Sequence, residues 1–315
     1  MEHAEALESA EATLHRAGFR VSRRCTARTS CFDFAARDEE RLIFVKAFPD
    51  IRDVSREDAA CVRAISRCFS SASIFISDVN NEDSLRDDTV YSRYGVYVVT
   101  SNTFTDIVLR GVFPLVEATP GGYCVRIDGS KIRERRHELS LSIGKLAGMI
   151  GVSRRTLYGY EKGMTRASVS AAYRLEKILG VPLARSVSPF EAPSETSRFG
   201  SLSVGDLENV SNRFLRFVLS KLAQFDFRVS LMRRAPFDFT ADCPHAELKV
   251  IGVVLEEREE CTEERVEETL SVSRIVAARP LLVGHGKVAA KNEVAFLNYD
   301  ELARIRDGRE ITRLL

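Results

Sequence analysis

The sequence predicts a multidomain chain in which an all-α segment stands between two related α/β domains. Three observations carry this reading. Residues 129–180 hold 11 basic and 4 acidic side chains, a local charge of +7 inside a chain of net charge +1. The flanking stretches share two peptides in the same order: Phe19-Arg20-Val21-Ser22 with Phe227-Arg228-Val229-Ser230, and Phe32-Asp33-Phe34 with Phe237-Asp238-Phe239. Residues 188–203 are rich in Pro, Ser and Gly and have no sustained apolar period, which marks a linker. The expected boundaries are 1–120 for the first α/β domain, 125–187 for the helical domain, 188–204 for the linker and 205–315 for the second α/β domain. A softer break falls at Thr119-Pro120-Gly121-Gly122.

Composition narrows the classes. With 315 residues there is room for two or three domains of roughly 100–200 residues each. Hydrophobic residues at 44% and charged residues at 29% exclude a wholly disordered chain. No apolar run reaches the ~18–20 residues that span a bilayer, so no membrane partner is expected. The acidic opening Met1-Glu2-His3-Ala4-Glu5 has no apolar core of a secretory signal. The seven cysteines show no Cys-x-x-Cys spacing, which argues against a zinc site and a thioredoxin-type motif and favours a reduced, cytoplasmic protein.

The outer segments follow one order of elements. Each opens with an amphipathic helix, then the shared tetrapeptide, then the Phe-Asp-Phe strand. A β-rich run comes next, Leu42–Val45 in one and Leu248–Ile251 in the other. Ser55-Arg56-Glu57-Asp58 and Thr262-Glu263-Glu264 then start a helix, because a hydroxyl at the N-cap accepts an orphan backbone N–H of the first turn. A strand follows at 72–77 and at 279–284. Each segment ends in a strand running into a helix, at 96–108 and at 294–305. The shared order predicts a duplication.

The middle segment reads as helices only, over 131–138, 142–150, 153–161 and 168–179. Ile143, Leu146, Ala147 and Ile150 recur at i, i+3, i+4 and i+7, one apolar face. Gly151 suits a turn at positive φ, Val152 plugs the angle between two helices, and Ser153 is an N-cap. Leu157 and Tyr160 face Leu146 and Ile150, and Gly180 closes the last helix. Residues 142–161 are therefore a helix-turn-helix candidate. The face opposite Leu157 is left with Arg154, Arg155, Thr156, Tyr158 and Gly159. Arginines there can bond guanine O6 and N7 in pairs, and Thr156 can meet a thymine methyl or a phosphate. Ser142, Lys145, Ser153 and Lys162 complete the set expected to touch double-stranded DNA. A helical hairpin with a merely solvated basic face is the plainer alternative.

Residues 130–182 resemble the Cro/C1-type helix-turn-helix domain of phage-repressor-like regulators. Leu146-Ala147, Gly151-Val152-Ser153, Thr156-Leu157, Tyr160-Glu161-Lys162-Gly163 and Leu179-Gly180-Val181-Pro182 stand where that pattern has them. Such domains often carry a phosphate-bonding Gln at the second position of the first motif helix. Ile143 stands there instead, so Ser142 or Lys145 must take that role. With Tyr91-Ser92-Arg93-Tyr94-Gly95 and Gly121-Gly122, the chain resembles an archaeal family of Cro/C1-type transcriptional regulatory proteins with the DNA-binding domain mid-chain. The likeness implies DNA binding and regulation.

The order of elements in the outer domains is similar to the restriction-endonuclease-like fold. Its active members carry Asp on one strand and Glu/Asp-x-Lys on the next, the carboxylates holding Mg²⁺. The first copy has Asp33 and Lys46, but alternation along the strand puts Phe44 at the second carboxylate position. The second copy has Asp238 and Glu247-Leu248-Lys249, which fits by spacing alone. Matching the copies by their apolar runs sets Lys249 against Ile43 and Gly252 against Lys46, leaving Glu247 and Lys249 as a strand-edge pair. Both domains are thus expected to be degenerate, with no catalytic or metal residues.

Other features read plainly. His137 is a solvated helix residue or phosphate contact, and His245 and His285 have no partner at ligand spacing. Tyr91 and Tyr94 are packing aromatics without the basic neighbours that single-strand binders use. Glu256–Glu260 is a solvated charged stretch, and no Gly-rich phosphate loop is present, so no cofactor is expected. The expectation is a DNA-binding transcriptional regulator that is not an enzyme. Because one helix-turn-helix covers a single half-site, a homodimer is expected, joined mainly through the α/β domains. The rivals are a metal-dependent nuclease using Asp238, Glu247 and Lys249, and a structural or RNA-associated protein.

Overall fold

The computed structural model describes residues 3–190, 210–255, 263–284, 294–306 and 310–311. From residue 191 on, the expected linker lies outside the described residues, as do Glu256–Glu260, Thr262 and His285.

The N-terminal unit runs α1 (His3–Arg16), β1 (Arg20–Val21), β2 (Phe34–Arg37), β3 (Leu42–Ala47), α2 (Arg56–Phe69) and β4 (Ala72–Ile76). A small hairpin of β5 (Val79–Asn80) and β6 (Asp83–Ser84) precedes β7 (Thr89–Arg93), β8 (Val96–Val99) and α3 (Ser101–Arg110). β4 is buried throughout, as expected of a strand covered on both faces. Leu7, Ala10 and Leu14 of α1 join Phe104 and Ile107 of α3 in the core on one face of the sheet. Val62, Ile65 and Phe69 of α2 cover the other face.

The C-terminal unit repeats this plan with α8 (Arg213–Gln224), β13 (Arg228–Leu231), β14 (Phe239–Cys243), β15 (Leu248–Leu255), α9 (Glu263–Val276), β16 (Arg279–Gly284), β17 (Ala295–Asn298) and α10 (Tyr299–Arg304). Its strand order β13-β14-β15-β16-β17 matches β1-β2-β3-β4-β8 in sequence and sense, two antiparallel pairings followed by two parallel ones. The match extends to single bonds. Asp33 N–H donates to Val45 O and Asp238 N–H to Gly252 O. The Asp33 carboxylate accepts from Ala47 N–H at 2.8 Å, and that of Asp238 from Val254 N–H at 2.8 Å. α2 and α9 both end in a left-handed residue, Ser70 at φ 51° and Ala277 at φ 55°.

These bonds correct the alignment by one residue. Gly252 stands opposite Val45, not Lys46, and Lys249 opposite Leu42, not Ile43. The apolar runs slide past each other without penalty, whereas an aspartate bonded to the neighbouring strand cannot. The swap at Val45 has a cause: a Cβ on Gly252 would stand 1.9 Å from the Phe239 ring.

The two units pack through their α2 and α9 faces and share one core. Phe32 and Phe237, equivalent residues of the two copies, are both fully buried with ring centroids 6.4 Å apart. Each copy also sends an arginine into the other. Arg28 pairs with Asp238 at 2.8 Å and donates to the carbonyls of Ala235 and Phe237. Arg234 lies 3.3 Å from both Glu57 and Asp58. Glu268 of α9 accepts the backbone N–H groups of Thr26 at 2.6 Å and Ala27 at 2.8 Å. The α2 and α9 faces are therefore spent on each other within one chain.

The middle segment is not helices only. β9 (Val116–Thr119) pairs with β7, and β10 (Gly122–Ile127) pairs with β9, so Thr119–Gly122 is a hairpin turn rather than a break. α4 (Gly129–Glu138), α5 (Ile143–Ile150), α6 (Arg154–Glu161), β11 (Ala167–Ser168), α7 (Val169–Leu179) and β12 (Ala184–Arg185) follow, with β11 and β12 both paired to β10. The helices thus grow from the last strands of the N-terminal sheet.

Phe237→Ala should cost ~3–5 kcal/mol, the usual range for emptying a buried aromatic site. Urea unfolding of the full chain measures it. A loss under ~1 kcal/mol would mean that the two units do not share a core.

Candidate nucleic-acid interface

Four N-caps set the helices of this region. Asp128, Ser142, Ser153 and Ser168 each accept the backbone N–H three residues on, at 3.0–3.2 Å. The Asp128 carboxyl is held below the ordinary carboxylate range by Ser130, Arg185 and the Lys131 N–H. Gly151 closes α5 at φ 75°, where its missing Cβ avoids the left-handed penalty. Arg174 reaches back to donate to Ile150 O at 3.2 Å.

Leu146, Ala147, Ile150, Leu157 and Tyr160 form one core with Ile132, Leu175 and Leu179. Beneath it lies a buried ion pair. Arg136 Nε and Nη2 bond the two oxygens of Glu161 at 2.6 and 3.1 Å, and Arg136 Nη1 donates to Leu141 O at 3.0 Å. Both side chains are under 10% exposed. This two-point pair locks the end of α6 to α4 and to the turn before α5. Gly129 allows the crossing, since a Cβ there would stand 2.4 Å from Tyr160 O.

The outer face of α6 carries Arg154, Arg155 and Tyr158, all exposed. With Ser142, Ile143 and Gly144 they line an open groove at the start of α5. The Arg154 side chain crosses Gly144, its Nε 2.8 Å from where a Cβ would be. Lys145 and Lys162 are exposed, and the Lys162 ammonium sits 5.8 Å from the Tyr158 ring centroid. Ser153 is exposed at its cap, and Thr156 is half-buried with its hydroxyl 2.8 Å from that of Ser153. Gly159 is a correction. It is buried and packs on Thr165, 2.8 Å from where a Cβ would be, so it is off the exposed face. Ile143, at the position where the phosphate-bonding Gln was expected, is half-buried at the edge of the core.

Glu117 escaped the sequence reading. It is 2% exposed on β9 and bonds Arg126 of β10 at 3.4 Å and Arg166, beyond the end of α6, at 2.6 Å. Arg126 also meets the Tyr97 hydroxyl at 2.6 Å. One buried carboxylate therefore ties the sheet to the turn that follows α6. No periodicity marks such a residue, because its partners lie 9 and 49 residues away.

The nuclease-like positions do not assemble. Phe44 is fully buried where a carboxylate would be needed. Lys46 donates to Ser30 O and lies 3.6 Å from Asp58, which also faces Arg234. In the second copy the same two positions are Ile251 and Val253, both fully buried. Asp238 is held by Arg28 and by Arg265 at 2.7 Å. Glu247 is an exposed turn residue at φ 50°, and Lys249 lies over the Phe69 ring at 5.7 Å. These residues do not fit a Mg²⁺ ion. Among the described residues no three His, Cys, Asp or Glu side chains gather as metal ligands, and no helix is long and apolar enough to cross a membrane. His137 and His245 are exposed.

Fold and interface together define a helix-turn-helix protein built onto a nuclease-like α/β platform. Residues 132–185 match the helix-turn-helix family, and residues 3–114 match the PD-(D/E)XK superfamily domain. A protein of Methanocella arvoryzae named as an HTH-type transcriptional regulatory protein is 37% identical over 232 residues, 74% of this chain and 71% of its own. One of the same designation from Methanocaldococcus jannaschii is 30% identical over 286 residues, 90% of this chain and 87% of its own. One from Pyrococcus furiosus is 29% identical over 306 residues, 97% and 95%. The chain belongs to this archaeal family of HTH-type transcriptional regulatory proteins. No solved structure matches the chain.

Glu161→Gln should destabilise the chain by ~3–5 kcal/mol, because it leaves Arg136 as an uncompensated buried charge. Denaturant titration checks this. A change below ~1 kcal/mol would show that Arg136 reaches water without its partner.

Proposed function

We propose that the protein is a sequence-specific transcriptional regulator that reads the major groove of double-stranded DNA with residues 153–161. The observation that carries this is the two-sided character of α6. Its inner side is fixed by Leu157, Tyr160 and the Arg136–Glu161 pair. Its outer side offers Arg154, Arg155 and Tyr158 over a groove that opens at the N-terminus of α5. Rigid placement on one side and exposed guanidinium groups on the other is what base reading requires. Ser142, Lys145 and Lys162 are assigned to the phosphates on either side, and Ser153 and Thr156 to the head of the reading helix. The excess of +7 in residues 129–180 supplies the sequence-independent attraction.

In this reading the helix-turn-helix domain sits between two copies of one α/β unit, the second a degenerate duplicate, and the protein works in the cytoplasm. The two copies act as a structural body rather than as an enzyme. The family resemblance of residues 3–114 to PD-(D/E)XK domains, with Asp33 and Lys46 retained, favours one rival, a nuclease. Phe44, the Lys46–Asp58 pair and Arg234 argue against it. The protein binds as a homodimer on two half-sites about one helical turn apart, with the subunit interface lying outside the α2 and α9 faces.

Selection of bound duplexes from a random pool tests the function. Recovered sites should share a motif with two-fold symmetry, and recovery of unrelated sequences would refute sequence-specific reading. On the recovered site, Arg155→Ala should cost ~1–3 kcal/mol and relax base choice at one position. An equal loss on random duplex would show that Arg155 touches only phosphate. Plasmid and branched DNA should stay uncut with Mg²⁺ or Mn²⁺. Cleavage that disappears in Lys46→Ala or Lys249→Ala would instead establish the nuclease.

A further inference from the structure

The Tyr91-Ser92-Arg93-Tyr94-Gly95 segment plays no part in the function above. It ends β7 and turns into β8 at Tyr94 (φ 50°) and Gly95 (φ 79°). Tyr94 is 43% exposed. Along the sequence its tyrosines have few basic neighbours, but the fold supplies them. The Arg56 guanidinium lies over the Tyr94 ring at 5.4 Å and that of Arg93 at 5.9 Å. A Cβ on Gly95 would stand 2.5 Å from Arg63 Nη1, so a third guanidinium rests against the same turn.

None of these three arginines forms an ion pair among the described residues. The acidic groups around them are engaged elsewhere: Asp50 by Arg52, Glu57 by Arg234, and Asp58 by Lys46 and Arg234. Asp53 is exposed at the neighbouring 3₁₀ turn. Arg63 Nε is buried without a hydrogen-bond partner, and Arg93 Nε makes one long bond, 3.4 Å, to Ile51 O. Like charges gathered in this way repel each other, and an anion between them removes the repulsion. An aromatic ring holds a guanidinium by its face and leaves the N–H edges available, which suits the oxygens of a phosphate.

We propose that Arg56, Arg63 and Arg93, arranged around the Tyr94–Gly95 turn, bind phosphate groups of the DNA backbone beside the stretch held by the helix-turn-helix domain. This rests on the DNA-binding reading of the preceding subsection. The sheet connects the two places. β7 pairs with β9, β9 with β10, and β10 ends just before the cap of α4. Ser92 is level with Gly122, so two strand spacings of ~4.8 Å and about eight residues at ~3.3 Å put the turn roughly 28 Å from the cap of α4. That is less than the ~34 Å of one helical turn of DNA, so one duplex can meet both.

The test compares full-length wild type with Arg56→Gln/Arg93→Gln on a mixed-sequence duplex of about 36 base pairs, over ~50–200 mM salt. The double variant should bind several-fold more weakly at low salt, and the slope of log affinity against log salt should fall by ~2, near 0.9 for each phosphate no longer neutralised. Arg56→Lys/Arg93→Lys should keep most of the slope, and both variants should keep the wild-type thermal midpoint. An unchanged slope in the Gln variant, with wild type bound, overturns this site and leaves the helix-turn-helix reading intact. Failure of wild type to bind any duplex removes that reading and this proposal with it. Titration with inorganic pyrophosphate separates the sources of phosphate. Binding to wild type but not to the Gln variant, together with an unchanged DNA slope, would assign the arginines to a free phosphorylated ligand and overturn the DNA assignment.

Discussion

One backbone N–H on the third strand of each sheet governs much of this structure. In the first sheet Ala47 donates to Asp33, and in the second Val254 donates to Asp238. A half-buried carboxylate bonded to a backbone N–H resists a shift of register, since a slip would break that bond. Once the register is set, Phe34 must oppose Val45 and Phe239 must oppose Gly252. The positions that would carry a metal-binding carboxylate and its lysine become Phe44 with Lys46, and Ile251 with Val253. The loop before each aspartate then places Phe32 and Phe237 against each other and lets Arg28 and Arg234 cross. A residue type that nucleases use for holding metal here holds the chain.

The basic segment depends on the same body through different chemistry. Its charge excess would push the four helices apart if nothing opposed it. Two buried carboxylates do so. Glu161 neutralises Arg136 within the helical domain, and Glu117 draws Arg126 and Arg166 onto the sheet. Arg154 and Arg155 at the head of α6 are among the basic residues left exposed. These two carboxylates hold structure from buried positions and leave the outward face of α6 basic.

Much of this was legible in the sequence, for identifiable reasons. The helix-turn-helix declared itself because its rules are local: hydroxyl caps, a glycine at the turn, an apolar period of three and four. The likeness of the outer units showed in Phe-Asp-Phe, because those residues occupy equivalent surroundings in both copies. What stayed hidden was non-local. β10 follows a Pro-Gly-Gly stretch that resembles a linker, and only its pairing with β9, β11 and β12 makes it the root of the helical domain. The alignment of the copies slipped by one because Leu, Ile and Val carry no register of their own. Gly159 looked exposed by its spacing, yet the returning chain at Thr165 covers it. Arg56, Arg63 and Arg93 are spread over almost forty positions and meet only through the turn at Tyr94.

The hairpin at Thr119–Gly122 also bears on how such a protein can change over evolutionary time. A domain hung on a flexible tether can be exchanged for another with little cost to either side. Here the helical domain shares a sheet with its neighbour, and the strand that begins it is also the strand that completes that sheet. Swapping in a foreign reading head would remove β10, β11 and β12 and expose the edge of β9. Under the proposed reading, new DNA preferences are therefore expected to arise by substitution on the outer face of α6, with the rest of the domain inherited as part of the body.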